Sequence, residues 1–114
     1  MQNNFSRYND GVISLYREKP RLASFNAKQN ADGLADLDFV VKLDYEECAK
    51  REQDLEFARQ NDFTLSLKVK TRFVNNIDNK CKAVINGYLY DVSSVDKSRT
   101  ELYLFLEGVK QIDT

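Results

Sequence analysis

The chain has 114 residues, 17 of them basic and 18 acidic, so its formal net charge is −1. This length fits one domain, and an apolar fraction of 42% is enough to build a single core. The nearly balanced charge argues against a stand-alone protein that grips nucleic-acid phosphates, because such proteins usually carry a clear basic excess.

The composition also argues against an enzyme. The chain contains no histidine, which removes the commonest general base and the commonest zinc ligand. Its two cysteines, Cys48 and Cys81, are far apart and we expect both to be reduced. The sequence Asp36-Leu37-Asp38 is only a weak match to a metal-binding loop. We therefore expect no catalytic residues, no cofactor and no metal.

No part of the sequence predicts insertion into a membrane. There is no apolar run of about 18 residues, and the polar start lacks the apolar region of a signal peptide. The first ten residues have no periodicity, and we expect residues 1–10 to be a flexible arm. The sequence thus favours a cytoplasmic site of synthesis and folding.

The first third of the chain predicts one strand and one long loop. Alternation from Val12 to Lys19 predicts the strand, which the sole proline, Pro20, ends or places at an edge. Residues 20–36 have the composition of a long loop. A weak alternation over residues 22–27 is the alternative signal, for an extension of a strand. A loop of this length in a small domain is usually mobile or functional.

The next stretch predicts a strand followed by a helix. Leu37–Leu43 alternates, and the residues expected on one face are Leu37, Phe39, Val41 and Leu43. Asp44 with Glu47 three positions later resembles a capping box, so we expect a helix over Tyr45–Gln60. The apolar arc of this helix is narrow. It is either a solvated helix packed by one stripe, or a helix whose charged face meets another chain or lines an opening.

The clearest strand is predicted from Phe63 to Arg72, where strict alternation places one face on the core and one in water. The polar face carries the cationic row Lys68, Lys70 and Arg72. Such a row is usually a solvated face that blocks edge pairing, and a phosphate-facing stripe is the alternative. A turn is predicted over residues 75–79.

The last third centres on a hairpin. Asn86-Gly87 lies between two alternating runs, which is the strongest short-range signal for a two-residue turn. A loop of this length fixes the register, with Ile85 opposite Tyr88 and Lys82 opposite Asp91. The residues expected on one face are Cys81, Ala83, Ile85, Tyr88, Tyr90 and Val92, with Val84 and Leu89 on the other.

After this hairpin we expect a second turn over Ser93–Arg99 and a last strand over Glu101–Glu107. Apolar residues on both faces of that strand predict that it is covered on both sides. The predicted fold is mainly β: a small six-stranded antiparallel barrel with a helical segment between strands 2 and 3. We expect one domain over residues 1–114, in which residues 110–114 form a flexible tail.

From Leu37 onward, the order of features resembles the head-completion proteins of long-tailed bacteriophages, also called head–tail connector or stopper proteins. The matching features cover about two-thirds of the chain. They are Leu43-Asp44-Tyr45-Glu46-Glu47, the charged Arg51-Glu52-Gln53-Asp54, the alternating strand from Phe63 to Thr71, the hairpin from Val84 to Val92, Asp96, and the final Leu102-Tyr103-Leu104-Phe105-Leu106.

The resemblance implies a structural protein of the virion neck, assembled in the bacterial cytoplasm. It implies a ring of twelve copies below the portal and its adaptor, which closes the DNA-filled head and offers a docking surface to the tail terminator and other tail proteins. The packaged double-stranded DNA then passes through the channel without sequence-specific contacts. Tyr45–Asp62 corresponds to the segment that acts as a channel gate in this family.

We expect the gate and the contacts between neighbouring copies to use charged residues of this region: Glu46, Glu47, Lys50, Arg51, Glu52, Asp54, Lys68, Lys70 and Arg72. Head-to-tail contacts in a ring join two different surfaces, and the cationic row of one copy facing Glu46, Glu47 or Glu52 of the next is one such arrangement. Two alternatives stay open: a monomeric barrel that binds single-stranded nucleic acid through the cationic row and exposed tyrosines, and another neck or tail-completion protein.

Overall fold

The computed structural model describes residues 8–18 and 37–112. The expectations for residues 1–7, for the loop and weak strand within 19–36, and for residues 113–114 lie outside this part. The elements are β1 (Gly11–Glu18), β2 (Leu37–Cys48), α1 (Glu52–Gln60), β3 (Leu67–Arg72), β4 (Cys81–Ile85), β5 (Tyr88–Lys97) and β6 (Glu101–Gln111).

The six described strands close into an antiparallel barrel in the order β1-β2-β3-β6-β5-β4. The helix α1 lies between β2 and β3. Closure joins β1 to β4 through the pairs Ser14↔Val84 to Arg17↔Cys81. The predicted fold class is therefore confirmed. A closed sheet of this kind removes most of the exposed strand edges that a small open sheet would leave.

The central hairpin has the predicted register. Ile85 lies opposite Tyr88 and Lys82 lies opposite Asp91. Asn86 and Gly87 both have positive φ, 52° and 76°, as a two-residue turn of this type requires. The local sequence is sufficient here, because the loop length alone sets which residues pair.

The prediction for the faces of β2 is wrong in part because the strand contains a bulge. Leu15 pairs with Val41 but Tyr16 pairs with Phe39, so Val40 is an extra residue on β2. One extra residue moves every side chain beyond the bulge to the opposite face of the sheet. Val41 therefore packs against the barrel core, whereas Phe39 points outward and is 58% exposed.

The predicted start of the helix is also wrong. The segment 45–48 continues β2, with Tyr45 opposite Thr71 and Cys48 opposite Lys68, and α1 begins only at Glu52. Tyr45 is buried in the barrel core. The gain from burying this ring and extending the β2–β3 ladder outweighs the local capping signal, because propensity is weak against tertiary packing.

Three other boundaries differ from the prediction. β3 begins at Leu67 rather than Phe63, and β6 continues to Gln111 rather than ending at Glu107. The turn expected over Ser93–Arg99 is strand up to Lys97, because a bulge at Ser93 lets β5 stay paired with β6. The described parts of the two segments expected to be flexible make contacts with the barrel. Asp10 donates its N–H to the Tyr45 carbonyl, and Ile112 is buried.

The core fills the barrel from the inner faces of all six strands. It includes Ile13, Leu15, Val69, Leu102, Leu104 and Leu106, all fully buried. Ile77, in the turn between β3 and β4, is also fully buried within this cluster. A second, smaller cluster of Leu37, Leu89 and Ile112 packs with Tyr16 and Val84 on the opposite face of the sheet.

Candidate assembly surface

The segment that carries α1 leaves and re-enters the barrel at neighbouring positions. Cys48 at the end of β2 lies opposite Lys68 at the start of β3. The 18 residues between β2 and β3, 49–66, form an excursion whose two ends are fixed one strand spacing apart. This excursion contributes no strand, so the barrel closes without it.

Asp54 defines the start of the helix. Its carboxylate accepts a hydrogen bond of 2.9 Å from the backbone N–H of Arg51, the N-cap residue. Glu52 and Asp54 place negative charge in the first turn and Arg59 places positive charge in the last, which suits the helix dipole. The helix ends at Asn61, whose N–H bonds to the carbonyls of Phe57 and Ala58.

A short apolar stripe holds the helix on the outside of the barrel. Ala58 and Leu65 are buried against Phe105 of β6, with Leu55 and Phe63 packed alongside. Phe57 contacts the rings of both Phe63 and Phe105, at centroid distances of 6.1 and 5.6 Å. The helix packs by one narrow stripe, but Leu55 is the only residue of the predicted apolar arc that the helix contains, and Phe57 joins the stripe. Phe105 has the outer cover that its strand pattern predicted.

An ion pair between Asp54 and Lys68 adds a polar anchor beside this stripe. Both carboxylate oxygens lie 3.1 Å from Lys68 Nζ, and Asp54 is only 8% exposed. Burial alone would raise the pKa of Asp54, but the Arg51 N–H and the Lys68 ammonium more than offset it, so this pKa is lowered. Lys68 Nζ also lies over the rings of Tyr103 and Phe105.

Lys70 is neutralised within the chain. Its Nζ lies 3.2 Å from Glu46 and 3.9 Å from Glu101. Burial would lower the pKa of Lys70, but these two carboxylates outweigh that effect and raise it. Burial, reinforced by Glu101, raises the pKa of Tyr103 on the adjacent strand. The cationic row is thus neither a solvated face nor a stripe open to phosphate at Lys68 and Lys70.

The other predicted site residues are more exposed. Glu47 donates its N–H to Asp10, and Lys50 Nζ donates to the Ser66 carbonyl. Arg51 and Glu52 are exposed where the helix begins, and the exposed guanidinium of Arg72 lies 5.6 Å from the centre of the Tyr8 ring. The structure therefore divides the nine residues into an anchored group and an exposed group. The anchored group is Glu46, Asp54, Lys68 and Lys70.

Three residues of this surface were missed by sequence reasoning. Glu101 and Tyr103 complete the charged cluster around Lys70, and Tyr8 donates its hydroxyl to Glu101. The sequence did place Glu101 at the start of the last strand, but only the structure shows that it lies opposite Arg72. Tyr8 had no such signal, because it lies in a polar stretch with no periodicity.

No group of three or more potential metal-ligating side chains converges within the described ranges. Burial raises the pKa of the Cys48 thiol, and the nearby Lys70 and Lys68 only partly oppose this effect. No helix in the described part of the chain is long and apolar enough to cross a membrane.

Comparison with known proteins does not assign a family. No model of a known protein family matches the chain. No curated protein matches it either.

Proposed function

We propose that this protein is a structural component of the neck of a long-tailed bacteriophage. In this role a ring of copies lies below the portal and its adaptor, closes the DNA-filled head and offers the docking surface for the tail. The observation that carries the proposal is the closed six-stranded barrel with its helical excursion between β2 and β3. This is the architecture that the resemblance to head-completion proteins implies.

Residues 45–48 pair with β3 in the barrel wall. We therefore propose the excursion 49–66 as the gate in place of Tyr45–Asp62. The side of α1 away from the barrel exposes residues of both charge signs, including Glu52, Glu56 and Arg59. A mixed face of this kind suits a channel through which DNA slides, because it has no net basic stripe to hold phosphates.

The proposed contacts between neighbouring copies use the exposed group. Lys68 and Lys70 already face carboxylates of their own chain. Glu47, Glu52 and Arg72 are exposed, and the proposal assigns the head-to-tail contacts to them.

The nucleic-acid-binding alternative has less support. Its cationic row is largely neutralised, since Lys68 pairs with Asp54 and Lys70 with Glu46. Little of its charge is left to release counterions from a bound strand. We therefore keep this alternative as an outcome of the experiment below.

The test is electron microscopy of lysates from a phage or prophage that lacks this gene. The proposal predicts finished tails separate from heads, with the heads empty or leaking DNA. Supplying the gene in trans should restore joined particles, which controls for effects on neighbouring genes. Normal virions, or heads that never package DNA, would contradict the proposal. A titration with single-stranded oligonucleotides would then be the next experiment.

A further inference from the structure

Strand β5 is longer than its pairing with β4. That pairing runs only from Ile85↔Tyr88 to Lys82↔Asp91, whereas β5 continues to Lys97 and stays paired with β6. Within residues 8–18 and 37–112, the stretch Val92–Lys97 therefore has a neighbouring strand on one side only. We call its other side the β5 edge. Such an edge carries backbone N–H and C=O groups that accept a further strand.

A groove of about 700 Å³ opens where β4 and β5 separate. Val92 and Ser93 line it from β5, while Asn79 and Lys80 line it from the turn before β4. Continuing the ladder beyond Lys82↔Asp91 would bring Lys80 opposite Ser93, but the groove lies between them. Among residues 8–18 and 37–112, no strand pairs with the start of the β5 edge, and Asn61 and Phe63 form another wall of the same groove.

Charges of both signs lie around this edge, and Glu18 and Asp91 line the groove beside Arg17, Lys80 and Lys82. Lys80, Lys97 and Arg99 are exposed, and within the described residues none of the three forms an ion pair. Asp96 is the exposed anion in the same stretch. Another groove cation, Lys82, is paired with Asp91. The unpaired charge therefore favours an acidic ligand.

We propose that the β5 edge binds an extended, acidic segment of a partner protein, which adds to the barrel as a further strand. Backbone hydrogen bonds hold the segment, and Lys80, Lys97 and Arg99 select its acidic residues. The bulge residue Ser93 contributes backbone groups that the β5–β6 ladder does not use. This inference does not depend on the proposed neck function.

A second copy of this chain fits the edge poorly. Symmetric pairing of two β5 edges would leave the excess positive charge uncompensated, because each copy contributes Lys80, Lys97 and Arg99 against Asp96. A bulge and charged residues such as Asp96 and Lys97 are also usual guards of a strand edge against self-pairing. The occupant is therefore a different protein.

The first experiment measures amide hydrogen exchange in the isolated protein by NMR. If the edge is open, amides that alternate along Val92–Lys97 exchange faster than those of Leu102–Leu106, which lie between two strands. Equal protection of all amides in Val92–Lys97 and Leu102–Leu106 would mean that the edge is already covered, and would overturn the proposal.

The second experiment adds a pool of nine-residue peptides that alternate valine or threonine with aspartate or glutamate. The acidic pool should shift the amide signals of Val92–Lys97 and Lys80. A matched pool with lysine at the acidic positions, and an acidic pool with alternate N-methylated amides, should not. The proposal fails if the acidic pool causes no shift at millimolar concentration, or if either control pool binds equally well. It also fails if a single-stranded oligonucleotide of equal charge displaces the peptides.

Charge-reversal variants test the selection of acidic residues. The double variant Lys80→Glu, Lys97→Glu should weaken binding of the acidic pool about tenfold, as expected for two exposed ion pairs. Lys42→Glu is the matched control, because Lys42 is exposed on β2 and does not line the groove. No loss in the double variant, or the same loss in the control, would overturn the proposal. So would concentration-dependent dimerisation, seen by light scattering, that shifts the Val92–Lys97 amides.

Discussion

Among single residues, Asp54 links the most parts of the structure. Its carboxylate caps α1 through the Arg51 N–H and joins the helix to β3 through Lys68. A largely buried ion pair is costly to break on one side only, because the remaining charge loses its partner without regaining full hydration. Removing this carboxylate should therefore affect both the helix and the barrel surface below it.

We predict that Asp54→Asn lowers the free energy of unfolding by about 1–3 kcal/mol, since the amide keeps the size of the side chain but leaves Lys68 without a carboxylate. Urea denaturation at neutral pH measures the change. The matched control is Glu56→Gln, which removes an exposed ion pair with Arg59 on the same helix and should cost less than about 0.5 kcal/mol. Equal losses in the two variants would contradict the assigned role.

The same pair should make stability depend on acid pH. The pKa of Asp54 is lowered in the folded protein from its ordinary value of 3.8. Its contribution is therefore fully present above 3.8 and is lost as the pH falls through the lower folded value. Denaturation at a series of pH values should show a constant difference between wild type and Asp54→Asn above about pH 5, shrinking only below about pH 4. A difference that shrinks already near neutrality would assign the effect to other groups.

Leu89 shows that burial at this barrel is not confined to its interior. It lies on the face of β5 opposite to the core and is only 1% exposed, in a cluster with Leu37 and Ile112. We predict that Leu89→Ala costs about 2–4 kcal/mol of unfolding free energy. Val109→Ala, at an exposed bulge position on β6, should change it by less than about 0.5 kcal/mol. Thermal or urea denaturation measures both changes in unfolding free energy. A small loss for Leu89→Ala would contradict the stabilising role assigned to the outer cluster.

At the scale of strands and helices, the sequence predicted elements best where pairing is local. The Asn86-Gly87 loop determined the hairpin register, and the structure confirms it. Pairing beyond a bulge was not predictable, because nothing in the pattern of β2 marks Val40 as the extra residue. The side chains of β2 therefore change faces at Val40, and only the pairing with β1 shows where this happens.

The start of α1 illustrates a second limit. Asp44 and Glu47 have the spacing of a capping box, but Glu46 pairs with Lys70 and Tyr45 enters the core. Both contacts come from residues more than twenty positions away, so no local pattern contains them. The anchored part of the candidate site was unpredictable for the same reason: Asp54 meets Lys68 only after the helix packs on the barrel.

The excursion 49–66 should be dispensable for barrel folding. We predict that replacing residues 50–66 by Asn-Gly leaves a folded barrel, because Ala49 and Leu67 then continue the ladder beyond Cys48↔Lys68 and the new turn matches a two-residue hairpin. Loss of the packing on Phe105 should lower the unfolding free energy by roughly 2–4 kcal/mol. NMR spectra should retain dispersed amide signals from β1, β4 and β5.

The control for the 50–66 replacement is a variant in which residues 45–62 are deleted. It deletes Tyr45 from the core and the β2 side of the β2–β3 ladder, so it should not fold. A folded 45–62 deletion together with an unfolded 50–66 replacement would contradict the division between barrel wall and excursion.

For the molecule as a whole, the barrel is the frame that carries both proposed sites. Six strands provide the closed frame, the charged excursion packs on its outside, and the β5 edge is one side of a barrel strand. The class of fold was predictable, because six alternating segments with mostly short connections leave few other arrangements. The charge of the exposed surfaces was less predictable from the sequence, because contacts across the barrel decide which charges are neutralised.

The most direct test of the proposed neck role is a cryo-electron microscopy reconstruction, at a resolution that separates strands, of tailed particles produced from the genome that carries this gene. The account predicts a ring of six-stranded barrels immediately below the portal and its adaptor, with residues 49–66 of each copy directed toward the channel. A neck in which no density fits this barrel, in virions that are otherwise complete, would contradict it.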